Sequence, residues 1–250
     1  MSVRARDERF RPLPHSSPIG LLARLRFAAR LVADLQVRTV HRHLRGFLPQ
    51  LSGSVLDLGC GQSPYRHLLG PNARYLGIDF EGSRHFEYAE EKDVTYFDGR
   101  RIPLDDGSVD HVICTEVLEH CPDPAVLLGE VHRVLKPGGT GVFTVPWSAR
   151  YHYIPHDYFR YTPSMLRILF RSFSDARVEP RGTDVSAIAA KVVVLSIRPL
   201  VGEDRNPVAF LGSLLLLPLV PWAILAGQLS LVLELGSPDD PLGYTVWVTK

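Results

Sequence analysis

Between Ser54 and Pro146 the chain alternates short apolar runs with polar stretches punctuated by glycine, proline and aspartate. "SVLDLG", "RYLGIDF", "DVTYFD", "VDHVICTE" and "TGVFTVP" read as strands, because brief apolar or β-branched runs bounded by such residues fit a sheet covered on both faces. Between them "PYRHLL" and "PAVLLGEVHRVL" carry helical patterns. Thr162 followed by Pro163 opens a further helix through "SMLRILFRSF", since proline is tolerated in a first turn. "DARVEPRG" and "GYTVWVTK" read as the last two strands. Strands alternating with helices predict an α/β fold with a doubly wound, mostly parallel sheet. The polar, poorly periodic segment after Phe80 is expected as a short helix or a loop.

Two further patterns flank this core. Leu21, Leu25, Ala28, Val32 and Leu35 recur at helical spacing among Arg24, Arg26, Arg30, Arg38, Arg42 and Arg45, which predicts one basic amphipathic helix over residues 19–50. Such a helix either packs over the domain's edge or touches anionic lipid headgroups. From Asn206 to Leu233, 28 consecutive residues carry no formal charge, and about 20 are enough to span a bilayer as a helix. Pro218 and Pro221 are expected to break this run near its middle.

Composition sharpens the picture at three points. A chain of 250 residues with 45% hydrophobic and 22% charged residues is globular and large enough for one cored domain with an appendage. The formal charge of +1 hides an asymmetry: ten arginines and three acids give residues 1–50 a net +7, while the remainder carries −6. The basic residues form no nucleic-acid motif, so no nucleic-acid partner is expected. Cys60, Cys114 and Cys121 have no framework spacing, which points to reduced thiols and a cytoplasmic setting. Residues 1–18, rich in Arg and Pro and without an apolar leader pattern, are expected as a disordered tail.

The candidate chemistry starts at "VLDLGCGQSPYRHLL", where a strand, an acid, a glycine turn and an expected helix follow one another. Gly59 and Gly61, with Cys60 between them, let the backbone approach a ligand, and the first amides of a helix favour polar or anionic atoms. Dinucleotide folds use a similar turn, but Asp57 on the strand end repels a pyrophosphate and suits an ammonium group. Asp79 closes the second strand beside Phe80, where a carboxylate accepts hydrogen bonds from both hydroxyls of a ribose. Asp98, next to Gly99, is placed to receive the exocyclic amine of an adenine. A cationic centre, a ribose and an adenine without phosphate describe S-adenosylmethionine.

In these motifs the chain resembles the class I S-adenosylmethionine-dependent methyltransferases of the type 11-like kind. "DLGCG", "GIDF" and "IPLDDGSVD", continued by "CTEVLEHCPDP" and "VHRVLKPGGTGVFTVP", carry the resemblance over residues 54–146. It implies a Rossmann-like seven-stranded sheet, with the last strand antiparallel and inserted beside the fifth and sixth. It implies S-adenosylmethionine as cofactor, at Asp57, Gly59, Cys60, Gly61, Asp79, Phe80, Asp98, Gly99 and Thr115. In some quinone O-methyltransferases a run like Glu116, Glu119 and His120 goes with a divalent cation, but the run is common without one, so no metal is expected. The methyltransferase domain then comprises residues 51–182 and 243–250, and residues 183–242 form a hydrophobic helical insertion before the last strand.

Methyl transfer is an in-line displacement, so the protein aligns the partners and, for a hydroxyl acceptor, removes its proton. A histidine suits that role at neutral pH. His156 is the first candidate for general base, with His120 and His152 beside it. Trp147, Tyr158, Arg160 and Tyr161 share the same aromatic-rich loop, "WSARYHYIPHDYFRYT", and are expected to contact the acceptor. A single crossing by the insertion would leave the last strand on the wrong side of a bilayer, so the expected form is a helical hairpin lying in or dipping into a membrane interface, peripheral on its inner face. A buried helical cap is the alternative. The expected activity is O-methylation of a lipophilic or lipid-linked small molecule. An enzyme for a soluble acceptor, with the insertion as a lid, and a non-catalytic scaffold retaining the fold are the other readings.

Overall fold

A computed structural model describes residues 12–13, 16–81, 93–201 and 206–250. All seven expected strands are present: β1 (Gly53–Leu58), β2 (Ala73–Phe80), β3 (Val94–Phe97), β4 (Val109–Thr115), β5 (Leu135–Pro146), β6 (Asp175–Arg181) and β7 (Gly243–Thr249). They form one sheet in the order β3-β2-β1-β4-β5-β7-β6. β7 runs antiparallel between β5 and β6, pairing Thr245 with Thr144 on one side and Val246 with Val178 on the other. Leu56, Leu58, Val112, Phe143 and Val246 are buried in the main core, which explains why β1, β4 and β5 read as nearly continuous apolar runs. α3 (Pro124–Val134) and α4 (Pro163–Leu169) start where expected, with Asp123 and Thr162 accepting the amides of Val126 and Met165. The crossover after Phe80 falls mostly on residues 82–92, outside the described residues.

The expected single N-terminal helix is two: α1 (Leu21–Ala33) and α2 (Leu35–Phe47). Asp34 leaves the helical region at φ −108° and ψ 96°, and its side chain accepts the amide of Val37, so it caps α2. The break redirects the apolar stripe. α2 buries Leu35, Val40 and Leu44 against the sheet and the insertion, whereas Leu21, Leu25 and Val32 on α1 remain 77%, 60% and 52% exposed. Part of the expected disordered tail is also tied down: Ser17 donates to the carbonyl of Ser63 at 2.6 Å and accepts the amide of His67. Residues 1–11 and 14–15 lie outside the described residues.

The insertion is a helical hairpin. α5 (Asp184–Val201) forms one limb; α6 (Pro207–Leu216), a 3-10 turn at Leu217–Leu219 and α7 (Val220–Leu233) form the other. Pro218 and Pro221 interrupt the α-helix at the 3-10 turn, near the middle as expected, but do not reverse the limb. Each falls in the first turn of its own segment, where its missing N–H is an orphan anyway, and Leu216, Leu217, Leu219 and Val220 all keep right-handed helical angles. The result is a continuous apolar rod over Pro207–Leu233, long enough to cross a membrane and mostly unburied, with Ser213, Gly227, Ser230 and Leu231 its buried residues. At about 1.5 Å per residue its 27 residues extend roughly 40 Å. The two feet are stapled where Thr183 and Ser230 share a hydrogen bond of 2.7 Å. Gly227 brings α7 against Leu35, since a Cβ there would clash with the Leu35 side chain. Gln228 donates to the carbonyls of Leu31 and Val32, tying α7 to the end of α1.

Candidate active site

A cleft of about 2230 Å³ opens over the ends of β1, β2 and β4, the place where parallel sheets of this order take ligands. Its floor is the turn after β1. Gly59 (φ +72°) and Gly61 (φ +50°) adopt left-handed angles, and a Cβ on Gly59 would lie 2.5 Å from Val117. The expected helix after this turn is absent; the chain makes only a 3-10 turn at Arg66–Leu68. The turn after β1 therefore offers no helix N-terminus to a phosphate, and carboxylates line the cleft around it.

Asp79 is the best placed of them. It lines the cleft and is buried, and its two oxygens accept the amides of Gly61 (2.9 Å) and Phe80 (2.7 Å). Burial raises its pKa against the pull of those two bonds. Each oxygen retains acceptor capacity for a ligand hydroxyl. Phe80 stacks near Phe97, with ring centroids 4.9 Å apart, and Gly99 at φ +79° leaves room for its ring. Asp98 is on the cleft wall and exposed, with Oδ1 accepting the amides of Arg100 and Arg101, which hold its pKa low. Cys60, Gly61, Gly99 and Thr115 also line the cleft.

Asp57 departs from expectation. It lies beneath the glycine turn and not on the cleft wall, where the Tyr75 hydroxyl donates to it at 2.9 Å while standing 2.8 Å from Ser63 Oγ. Gly77 makes room for that ring, because a Cβ there would approach Tyr75 at 3.1 Å. Burial pushes the Asp57 pKa up to about 7, against the Tyr75 hydrogen bond. The buried carboxyl braces the turn through its bond to Tyr75.

The carboxylate that does reach this end of the cleft is Glu116, which sits at φ +54° just after β4. Arg181, fully buried at the end of β6, donates to Glu116 Oε1 at 2.6 Å. Its remaining donors reach Thr39 on α2 and the carbonyls of Val145 and Tyr244. Sequence reasoning missed this pair, because an arginine in "VEPRG" carries no local mark of burial.

The loop after β5 closes the other side. His120, His152, His156, Trp147 and Tyr158 line the cleft. His120 Nδ1 lies 2.6 Å from the carbonyl of His156; a carbonyl only accepts, so Nδ1 carries the proton and Nε2 the lone pair. Burial lowers the His120 pKa to about 4, so the ring is neutral at pH 7. His152 Nδ1 is likewise 3.0 Å from the carbonyl of Arg150 and 3.0 Å from Asp157. His156 Nδ1 meets the Tyr158 hydroxyl at 3.2 Å, and Trp147 donates to Asp240 at 2.8 Å.

Two expected acceptor contacts fall elsewhere. Arg160 holds both oxygens of Asp157, at 2.6 and 2.7 Å, and the carbonyls of Ala149, Arg150 and Phe159, so its fork folds the loop. Burial alone would raise Asp157, but the bonds from Arg160 and His152 outweigh it and hold the carboxyl well below the usual range. Tyr161 is buried in the main core and donates to the carbonyl of Leu118. Both residue types read as recognition groups in sequence; here Arg160 spends its donors on Asp157 and backbone carbonyls, and Tyr161 spends its hydroxyl on backbone. Beneath the histidines, Glu119 is fully buried, and among the described residues neither of its oxygens has a hydrogen-bond partner. Burial, and next the charge of Glu116, raise its pKa well above the usual range. Glu119, His120 and His152 place one ligand atom each within 4.8 Å of the others, the donor set among the described residues that could share a metal ion.

Residues 56–143 match the model of a family described as a methyltransferase domain. The chain is 32% identical over 124 residues to a ubiquinone biosynthesis O-methyltransferase of Acinetobacter baylyi, covering 45% of this chain and 50% of that one. It is 36% identical over 131 residues to a dimethylglycine N-methyltransferase of Parasynechococcus marenigrum, covering 47% and 46%. The chain spans half or less of the length of these curated relatives. A crystal structure of an S-adenosylmethionine-dependent methyltransferase from Archaeoglobus fulgidus superposes over 91% of this chain and 99% of that one, with a TM-score of 0.52 at 18% identity, a likeness of fold.

Proposed function

The chain carries a class I S-adenosylmethionine-dependent methyltransferase domain, and from this premise we propose that it methylates an oxygen of a lipophilic or lipid-linked acceptor at the inner surface of a membrane. The observation that carries the proposal is the exposed apolar rod of α6 and α7, rooted on α2 and α5, two helices that also wall the cleft. α1 adds its exposed leucines and Arg24 and Arg26 beside the rod, the combination that favours an anionic lipid surface. Thr183 and Ser230 bind the feet of the hairpin together, and β7 must return to the sheet, so the rod dips toward lipid and comes back instead of crossing alone.

The residues fit the cofactor. A turn free of a helix N-terminus, a glycine whose Cβ would strike Val117, and Asp79, Asp98 and Glu116 on the walls suit a cationic ligand with a ribose and disfavour a phosphate. Asp79 would hold the ribose hydroxyls and Asp98 the adenine amine, with Glu116, braced by Arg181, taking the role expected of Asp57 toward the ammonium group. S-adenosylmethionine supplies a methyl carbon activated by sulfonium charge. The protein's own part is alignment and proton removal. His156 is the general base, facing the cleft with the Tyr158 hydroxyl on one ring nitrogen. His120 and His152, each with Nδ1 committed to backbone, orient the acceptor beside it.

His156→Ala is expected to lower turnover about a hundredfold, the usual scale of a removed general base, while calorimetric affinity for S-adenosylhomocysteine stays unchanged. Equal turnover with the true acceptor removes His156 from the mechanism. The function itself is tested by incubating the protein with radiolabelled S-adenosylmethionine and membrane lipid extract, alongside flotation on anionic liposomes. Label in the organic phase together with flotation that weakens at high salt is expected. Label confined to water-soluble acceptors, with no flotation at low salt, defeats the membrane reading.

A further inference from the structure

Beyond the glycine turn the cleft continues past α2 to a wall made by α5, where Ala190, Val193, Val194 and Ile197 face it. These positions, i, i+3, i+4 and i+7, form one apolar stripe. Across from it α1 contributes the small side chains Ala29 and Ala33, together with Arg30, whose guanidinium is held by the Leu13 carbonyl and Asp34. At about 2230 Å³ the whole cleft exceeds the roughly 300–1,000 Å³ of ordinary ligand pockets. Cofactor and a small head group leave this apolar arm to be filled.

Two cations border the stripe. Lys191 and Arg198 lie on α5 two helical turns apart, about 10 Å, and both line the cleft. Among the described residues no carboxylate pairs with either. A lone apolar arm suits any hydrophobe; one bordered by two exposed cations selects a hydrophobe that carries negative charge. The same arm opens beside α1, whose Leu21, Leu22 and Leu25 are exposed.

We propose that the α5 arm of the cleft binds the hydrocarbon tail of an anionic single-chain amphiphile, of the lipid phosphate type, with Lys191 and Arg198 receiving its anionic group. The assignment rests on the membrane-surface reading above and names the acceptor class. The tail lies along the α5 stripe and its far end leaves past α1, while the group to be methylated reaches the histidines.

The test is calorimetric titration of the full chain, in the presence of S-adenosylhomocysteine, with dodecyl phosphate below its micelle concentration and separately with inorganic phosphate. Wild type is expected to bind dodecyl phosphate and not inorganic phosphate. Val194→Trp, which fills the stripe, and the double variant Lys191→Glu/Arg198→Glu are each expected to weaken dodecyl phosphate at least tenfold while S-adenosylhomocysteine affinity stays at the wild-type level, and liposome flotation stays at the wild-type level in Val194→Trp. The double variant changes exposed positions, so it keeps the test decisive if Val194→Trp fails to fold. No binding by wild type, binding by both variants as tight as wild type, or equal binding of inorganic phosphate overturns the proposal. S-adenosylhomocysteine affinity and flotation, read separately, report failure of the methyltransferase or membrane reading instead.

Discussion

Asp79→Ala is expected to weaken S-adenosylhomocysteine binding about a hundredfold, measured by calorimetry. The carboxylate would lose two charge-assisted hydrogen bonds to ribose hydroxyls, each worth ~1.5–3 kcal/mol, and ~3 kcal/mol in total is already two powers of ten in affinity. A second loss adds to it. Asp79 accepts the Gly61 amide, so removal of its side chain also frees the turn on which the ligand rests. Asp79→Asn separates the two effects: its amide oxygen keeps one backbone bond but offers weaker, uncharged acceptance, and affinity is expected between wild type and Asp79→Ala. Unchanged affinity in Asp79→Ala would place the ribose elsewhere.

The second large effect concerns Arg181. Replacing it with methionine preserves length and apolar contact but removes every donor to Glu116, Thr39 and the carbonyls of Val145 and Tyr244. The expected loss in unfolding free energy is ~3 kcal/mol, read from urea denaturation, because buried acceptors left unpaired cost ~1–3 kcal/mol each and the severed ion pair adds to them. Glu116 keeps partial access to solvent, which limits the total. A cofactor effect accompanies it: Glu116, no longer held at its left-handed position, should bind ligand less well. Stability within about 0.5 kcal/mol of wild type would show that water replaces the guanidinium, contrary to its complete burial.

The strands, the glycine turn, Asp79, Asp98 and the capped starts of α3 and α4 were legible because their signals are local. A two-residue alternation, a buried apolar run, a glycine needing positive φ or a threonine before a proline depends only on neighbours along the chain. The antiparallel seventh strand came from the resemblance of the motifs, and the sheet bears it out. The helix break at Asp34 was visible in principle, since an aspartate four residues after Arg30 is as good a cap as a helical neighbour. Periodicity alone favoured continuity, and the packing of Leu35 with Ala187 and Leu231 decided otherwise.

By itself, then, the sequence determined the α/β sheet, the methyl-donor motifs and the presence of a long apolar insertion. Only the tertiary structure decided which polar side chains face the cleft. Asp57 turned inward to Tyr75, Arg160 spent its donors on Asp157 and backbone carbonyls, Tyr161 gave its hydroxyl to a carbonyl, and Arg181 crossed 65 residues of chain to reach Glu116. A side chain's partner is set by which strand ends the topology brings together, and burial then determines whether a carboxylate remains charged. Pro218 and Pro221 teach the same lesson for the insertion: they interrupt the α-helix as expected, but each landed in a first turn, so the limb continues through a 3-10 turn and carries an exposed apolar surface.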